Sequence, residues 1–108
     1  MGVRFLSIAD DTVQTLGDAG LYSAYKIFER NAPNAVAFDM FTDQSGGAAA
    51  PTIYGNTGDV STYSTVLAGT TGTDGKFNVA ARDGKLYFEN RLGVTAPIAV
   101  IRISQTAT

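Results

Sequence analysis

The sequence predicts an all-β domain: a single-domain β-sandwich of seven or eight mostly antiparallel strands, jelly-roll or immunoglobulin-like, with a small barrel as the alternative closure. Three observations lead there. Two alternating runs flank an Asp-Gly pair at positions 83 and 84, a favoured two-residue hairpin loop. The chain is 44% hydrophobic but only 17% charged, and much of its polar character comes from Thr, Ser, Asn and Gly, which suits pleated sheets and tight turns. Its apolar runs are short, and turn residues separate them from end to end. The 108 residues make one domain, spanning 1–108 and large enough for a core without staples.

Taken in order, Val3–Ile8 reads as a first strand that stops at Asp10-Asp11. Thr12–Leu16 reads as a short second strand before the turn Gly17-Asp18-Ala19-Gly20. Leu21–Arg30 fits two periods: Leu21, Tyr25 and Phe28 lie at helical spacing, whereas Leu21, Tyr25 and Ile27 share a strand face. The recurring aromatics and Gly-rich flanks favour strand. Ala35–Thr42 alternates, with Val36, Phe38 and Met40 on one face and Asp39 on the other, and pairs with Leu21–Arg30 across Asn31, Pro33 and Asn34.

Ser45–Gly58 reads as a long loop that could hold a short strand at Thr52–Tyr54, and Asp59–Ala68 as the next strand. The turn region Gly69–Gly75 follows. Lys76–Arg91 then gives the sharpest local prediction. A type I′ turn at Asp83-Gly84 sets Arg82 opposite Lys85, Ala81 opposite Leu86, Ala80 opposite Tyr87, Val79 opposite Phe88 and Asn78 opposite Glu89. That register places Phe77, Val79, Ala81, Leu86 and Phe88 on one face, so turn chemistry and hydrophobic pattern agree. Pro97–Ser104 is apolar on both faces, which predicts a bulge or burial on two sides; left at a sheet edge, it would need a second copy to cover it.

The chemistry available is narrow. There is no Cys, hence no disulfide, thiolate or Cys-based metal site, and no His to transfer protons near neutral pH. The serines therefore have no histidine to activate them, and no Gly-x-Ser-x-Gly elbow occurs. Asp10-Asp11 is the one adjacent carboxylate pair, but neighbours on an extended chain point apart, so it reads as a strand-end turn. Gly69-Thr70-Thr71-Gly72-Thr73-Asp74-Gly75-Lys76 imitates a phosphate loop, yet Phe77 opens a strand where such a loop needs a helix. The acids do not form an alternating calcium loop. The expectation is a protein that is not an enzyme and takes no cofactor, metal or small-molecule substrate. A net charge of −2 with no block of like charges predicts no nucleic-acid partner. No apolar run approaches the roughly 20 residues of a membrane span, and the chain is expected to be soluble and made in the cytoplasm.

Tyr22, Tyr25, Tyr54, Tyr63 and Tyr87 remain as candidate aromatic anchors for a protein or a sugar. Tyr87 falls on the face of its hairpin opposite the apolar one.

The stretch Gly72-Thr73-Asp74-Gly75-Lys76-Phe77-Asn78-Val79, followed by Asp83-Gly84-Lys85-Leu86-Tyr87-Phe88-Glu89-Asn90-Arg91-Leu92-Gly93, resembles the C-terminal hairpin of small structural proteins encoded in tailed-phage morphogenesis regions. The opening Leu6-Ser7-Ile8-Ala9-Asp10-Asp11 is similar to the same group. The resemblance implies a virion structural protein with a β-sandwich, most naturally a capsid decoration (cement) protein on the head surface. Such a protein binds the major capsid protein and copies of itself, usually as a homotrimer. It implies no functional residues. The contact residues expected from the sequence are Val3 and Phe5 in the N-terminal arm Met1–Ser7, Ile53 and Tyr54 in the Ser45–Gly58 segment, and Tyr87 and Arg91 on the hairpin. The alternative is a carbohydrate- or receptor-binding module of a phage tail fibre.

Overall fold

The computed structural model describes residues 2–17, 24–30, 36–42, 50–56, 58–82 and 85–103. Nine strands run through them: β1 (Gly2–Ile8), β2 (Thr12–Gly17), β3 (Ala24–Glu29), β4 (Ala37–Phe41), β5 (Thr52–Asn56), β6 (Val60–Tyr63), β7 (Phe77–Arg82), β8 (Lys85–Asn90) and β9 (Ala96–Ile103). They form a five-stranded sheet in the order β1-β9-β3-β4-β5 and a four-stranded sheet in the order β2-β8-β7-β6. Neighbours are antiparallel except β6 and β7, which are parallel. The predicted all-β, mostly antiparallel sandwich is the architecture found, with nine strands where seven or eight were expected and no helix among the described residues.

The β7–β8 register is the one that the hairpin loop dictated, from Arg82 opposite Lys85 to Asn78 opposite Glu89. The Asp83-Gly84 turn itself lies outside the described residues. Phe77, Val79, Ala81, Leu86 and Phe88 point into the core, where Phe77 stacks on Phe88 at 6.2 Å and meets Phe38 of the facing sheet at 6.5 Å. From the five-stranded sheet come Leu6, Ile8, Tyr25, Ile27, Phe38, Met40, Ile98 and Val100. Asn90 ties the layers together at one end, donating from Nδ2 to the carbonyl oxygens of Ile8 (2.8 Å) and Val94 (2.6 Å).

The ambiguous segment Leu21–Arg30 resolves as a strand where it is described. Tyr25, Ile27 and Glu29 are buried on one face while Lys26 is exposed on the other, a period of two. Leu21 and Tyr22 lie outside the described residues, as do the turn residues Asp18, Ala19, Gly20, Asn31, Pro33 and Asn34. The expected β3–β4 pairing is present, with Val36, Phe38 and Met40 buried.

Three expectations change. The stretch read mainly as the Ser45–Gly58 loop contains a full strand, β5, which completes the five-stranded sheet against β4. The Asp59–Ala68 strand is shorter than expected: β6 ends at Tyr63, and the chain then leaves the sheet to run across its outer side. Pro97–Ser104 is no edge strand where it is described, up to Ile103, and of its two readings, a bulge or burial on two sides, the second holds. β9 lies inside its sheet, paired along its length with β1 and with β3, in unbroken register and without a bulge. Its two-sided apolar character fits that position, since Ile98, Ala99 and Val100 are all buried. Pro97 lacks a donor but still uses its carbonyl, accepting the Arg30 amide at 2.8 Å.

Candidate functional site

Two polar or apolar features outside the core have enough structure to be weighed as sites. The first lies on the outer side of the four-stranded sheet. Glu89, with no exposed surface, accepts backbone N–H bonds from Gly69 (2.8 Å), Thr71 (3.0 Å) and Gly72 (2.7 Å), and one from Asn78 Nδ2 (3.0 Å). Asn78 in turn clasps Thr73 through that residue's amide and carbonyl. A row of converging amides is an anion-binding nest, the device a phosphate loop uses. Here the nest is filled by the protein's own carboxylate. The phosphate-loop imitation seen in the sequence is therefore a structural latch, and Gly72 sits so close that a Cβ would fall 2.6 Å from Glu89 Oε1.

Arg91 belongs to the same latch. Its Nε donates to Asp11 Oδ1 (3.1 Å) and its NH1 to the carbonyl of Gly72 (2.9 Å). The hydrogen bond to Asp11, with the nearby charges of Asp74 and Glu89, raises the guanidinium pKa further, against some desolvation. Asp11 adopts a positive φ of 56°, which a short polar side chain tolerates, in a β1–β2 turn closed by the Thr12 amide donating to the Ala9 carbonyl, and its own amide ties that turn to β8 by donating to the Asn90 carbonyl. The strand-end reading of Asp10-Asp11 thus holds. Among the described residues no three His, Cys, Asp or Glu side chains gather to hold a metal.

The second feature is the outer face of the five-stranded sheet. Direct pairing puts outward residues in rows across the strands. One row runs Val3, Ile101, Lys26, Asp39, Tyr54. The row on one side contains Phe5, Ala99, Phe28 and Ala37; the row on the other contains Ile103, Ala24, Phe41 and Thr52. This face is largely apolar and large parts of it are open: Phe5 is 63% exposed, Tyr54 61% and Val3 60%. Scattered apolar residues on a surface need no explanation, whereas a contiguous apolar sheet face does.

The charged groups of this face are few, and the two in its middle row pair with each other. Lys26 Nζ contacts Asp39 Oδ1 at 2.9 Å, with both side chains about half exposed, so the pair contributes little to stability, about 0–1 kcal/mol. The Arg30 guanidinium lies 5.0 Å from the centre of the Phe5 ring. Phe41 and Tyr54 meet edge to face at 5.8 Å, which holds the Tyr54 ring in place. Between β3 and β5 the surface dips into a groove of about 330 Å³ bordered by Lys26, Phe28, Asp39 and Tyr54, with Ala37 and Gly55 at its base. Gly55 has φ 123°, and a Cβ there would come within 3.0 Å of the Ala37 carbonyl, so the base must stay bare.

The structure sorts the six residues expected to make contacts. Val3, Phe5 and Tyr54 share this face. Ile53 points the opposite way and packs against the core. Tyr87 is half-buried on the four-stranded sheet, and Arg91 is engaged in the latch. Phe28, Phe41, Ile101, Ile103 and the Lys26–Asp39 pair were not foreseen as part of the face; alternation within each strand marks them, once the strand order is known. No family model, no curated protein and no solved structure matches this chain.

Proposed function

We propose that this chain is a non-enzymatic structural protein of a phage virion, a capsid decoration protein that binds the head surface and stabilises the shell. The observation that carries the reading is the exposed apolar outer face of the five-stranded sheet, which a monomer in water has no reason to keep. The likeness of the β7–β8 hairpin and of the opening strand to phage structural proteins supports the same reading, as does a sequence without His or Cys. The arm β1 is the part that meets the shell: Val3 and Phe5 stand at the sheet's edge, open to a partner. Covering the part of each that is still open contributes about 1–2 kcal/mol, repeated at every lattice site that a copy occupies. Adding purified protein to undecorated heads tests this. Saturable binding at lattice sites, lost in Phe5→Ser, is expected; no saturable binding overturns it.

The groove beside Tyr54 favours one other reading, a glycan-binding module. An exposed ring next to a carboxylate and an ammonium group is the arrangement that stacks on a sugar face and holds its hydroxyls. A glycan array with binding lost on Tyr54→Ala would select it over the first.

A further inference from the structure

We infer that the outer face of the five-stranded sheet pairs with the same face of a second copy of this chain, about a two-fold axis parallel to the strands and midway between β3 and β4. This rests on the reading of that face as an association surface and names its partner, a single second copy where the resemblance to decoration proteins implies a homotrimer.

The argument is the self-complementarity of the rows. A two-fold in that position superposes β3 of one copy on β4 of the other, and β9 on β5. In the middle row, Lys26 then faces Asp39 of the second copy, and Asp39 faces its Lys26. Ile101 faces Tyr54 of the second copy. In the row on one side Phe28 faces Ala37, and in the row on the other Phe41 faces Ala24, each in both directions. Every bulky side chain on the central two strands meets an alanine, and every charge meets its opposite. The groove based on Ala37 and Gly55 is the hollow that receives Phe28 of the second copy.

The symmetry is of the isologous kind that closes a dimer and does not propagate. Face-to-face sheets pack about 10 Å apart with strands within about 30° of each other, so the three kinds of pair on the central strands, each made twice, keep their register near the axis. An axis centred on either charged strand fails the same check, since on β4 Asp39 would face Asp39. With the axis on β3 itself, Lys26 would face Lys26. In the placement proposed, β1 falls outside the overlap, which leaves Val3 and Phe5 of each copy free for a different partner.

Sedimentation equilibrium on the whole chain and on charge variants tests the inference. Wild type is expected as a concentration-dependent dimer. Lys26→Asp and Asp39→Lys, each of which brings like charges together, weaken it by about a hundredfold or more. An equimolar mixture of the two variants, or the double variant Lys26→Asp/Asp39→Lys, restores the dimer. Because both side chains are exposed, circular dichroism of each variant is expected to match wild type. A monomer at all concentrations, a trimer, or a dimer indifferent to both single substitutions overturns the inference. Binding to undecorated heads separates it from the functional reading. A monomer whose head binding is lost in Phe5→Ser overturns the pairing and leaves the decoration role standing. A dimer restored by charge exchange that binds no heads does the reverse.

Discussion

Glu89 sits directly across the β7–β8 pair from Asn78, on the outer side of the sheet, and the two are joined by a 3.0 Å hydrogen bond with no solvent in reach of either side chain. In an ordinary sandwich that side would be wet. Here the segment that follows β6 folds over it and is held down by the carboxylate.

Removing the carboxylate strands three amide donors at once, those of Gly69 and Gly72 buried and that of Thr71 partly so. Hydrogen bonds to charged groups contribute about 1.5–3 kcal/mol each, and unpaired buried donors add a desolvation penalty. Glu89→Ala is expected to lose at least about 3 kcal/mol by urea unfolding, with the amides of Gly69, Thr71 and Gly72 exchanging first. Unchanged exchange at those three amides would show that the latch does not depend on Glu89.

Gly72 and Gly58 offer a matched comparison. A Cβ at Gly72 would meet Asn78 Cγ at 2.5 Å and Glu89 Oε1 at 2.6 Å, both locked by hydrogen bonds, whereas nothing lies within 4 Å of one at Gly58. Gly72→Ala should cost about 1–3 kcal/mol, and Gly58→Ala should stay within about 0.5 kcal/mol of wild type. Equal unfolding midpoints for the two variants would contradict this.

Glu29 ends β3 on its core-facing side, and burial raises its carboxyl above the ordinary 4.5. The folded chain then holds a proton that the unfolded chain has already released, so stability falls as pH rises past 4.5 towards the raised value and stays reduced above it. At lower pH both states are protonated and the penalty vanishes. Glu29→Gln, neutral throughout, should be more stable than wild type at about pH 7 and equal to it near pH 3.5. Urea midpoints at the two pH values decide the matter, and a gain that does not grow with pH would refute it.

The two sides of β8 should respond differently to truncation. Phe88 is fully buried against Phe77, so Phe88→Ala should lose about 3–5 kcal/mol. Tyr87, one residue earlier and half-buried on the outer side, should lose about 1 kcal/mol as Ala. Equilibrium denaturation of both variants measures the contrast, and comparable losses would mean that the outer side is packed as tightly as the core.

How much of this was legible in the sequence depends on how local the cause was. The β7–β8 register was, because a two-residue loop fixes which residues face each other, and a slip of one would turn Val79 and Phe88 out of the core. The burial of Asn78 and Glu89 was not. Both lie on the polar side of that hairpin, and what covers them comes from a segment that reads as an exposed Gly/Thr turn region. The length of β6 was misread for the same reason, since apolar Val66 and Leu67 continue the pattern after the chain has left the sheet; Leu67 is buried all the same. The outer face of the five-stranded sheet was half legible. Alternation marks Phe5 or Phe41 as outward within its own strand, but only the order β1-β9-β3-β4-β5 makes one surface of them, and periodicity carries no strand order.

The position of β9 bears on how the chain is made. β1 emerges from the ribosome well before β9, its partner in the sheet, which follows roughly ninety residues later. At about 5–20 residues per second, β1 waits some 5–20 seconds with its hydrogen-bonding edge and its core residues Leu6 and Ile8 uncovered. The β3–β4 and β7–β8 pairs can close locally in that interval, but neither supplies the missing strand. Synthesis thus exposes an adhesive arm well before the fold can shelter it, and the yield of native protein should depend on what keeps that arm apart from its neighbours on the same polysome.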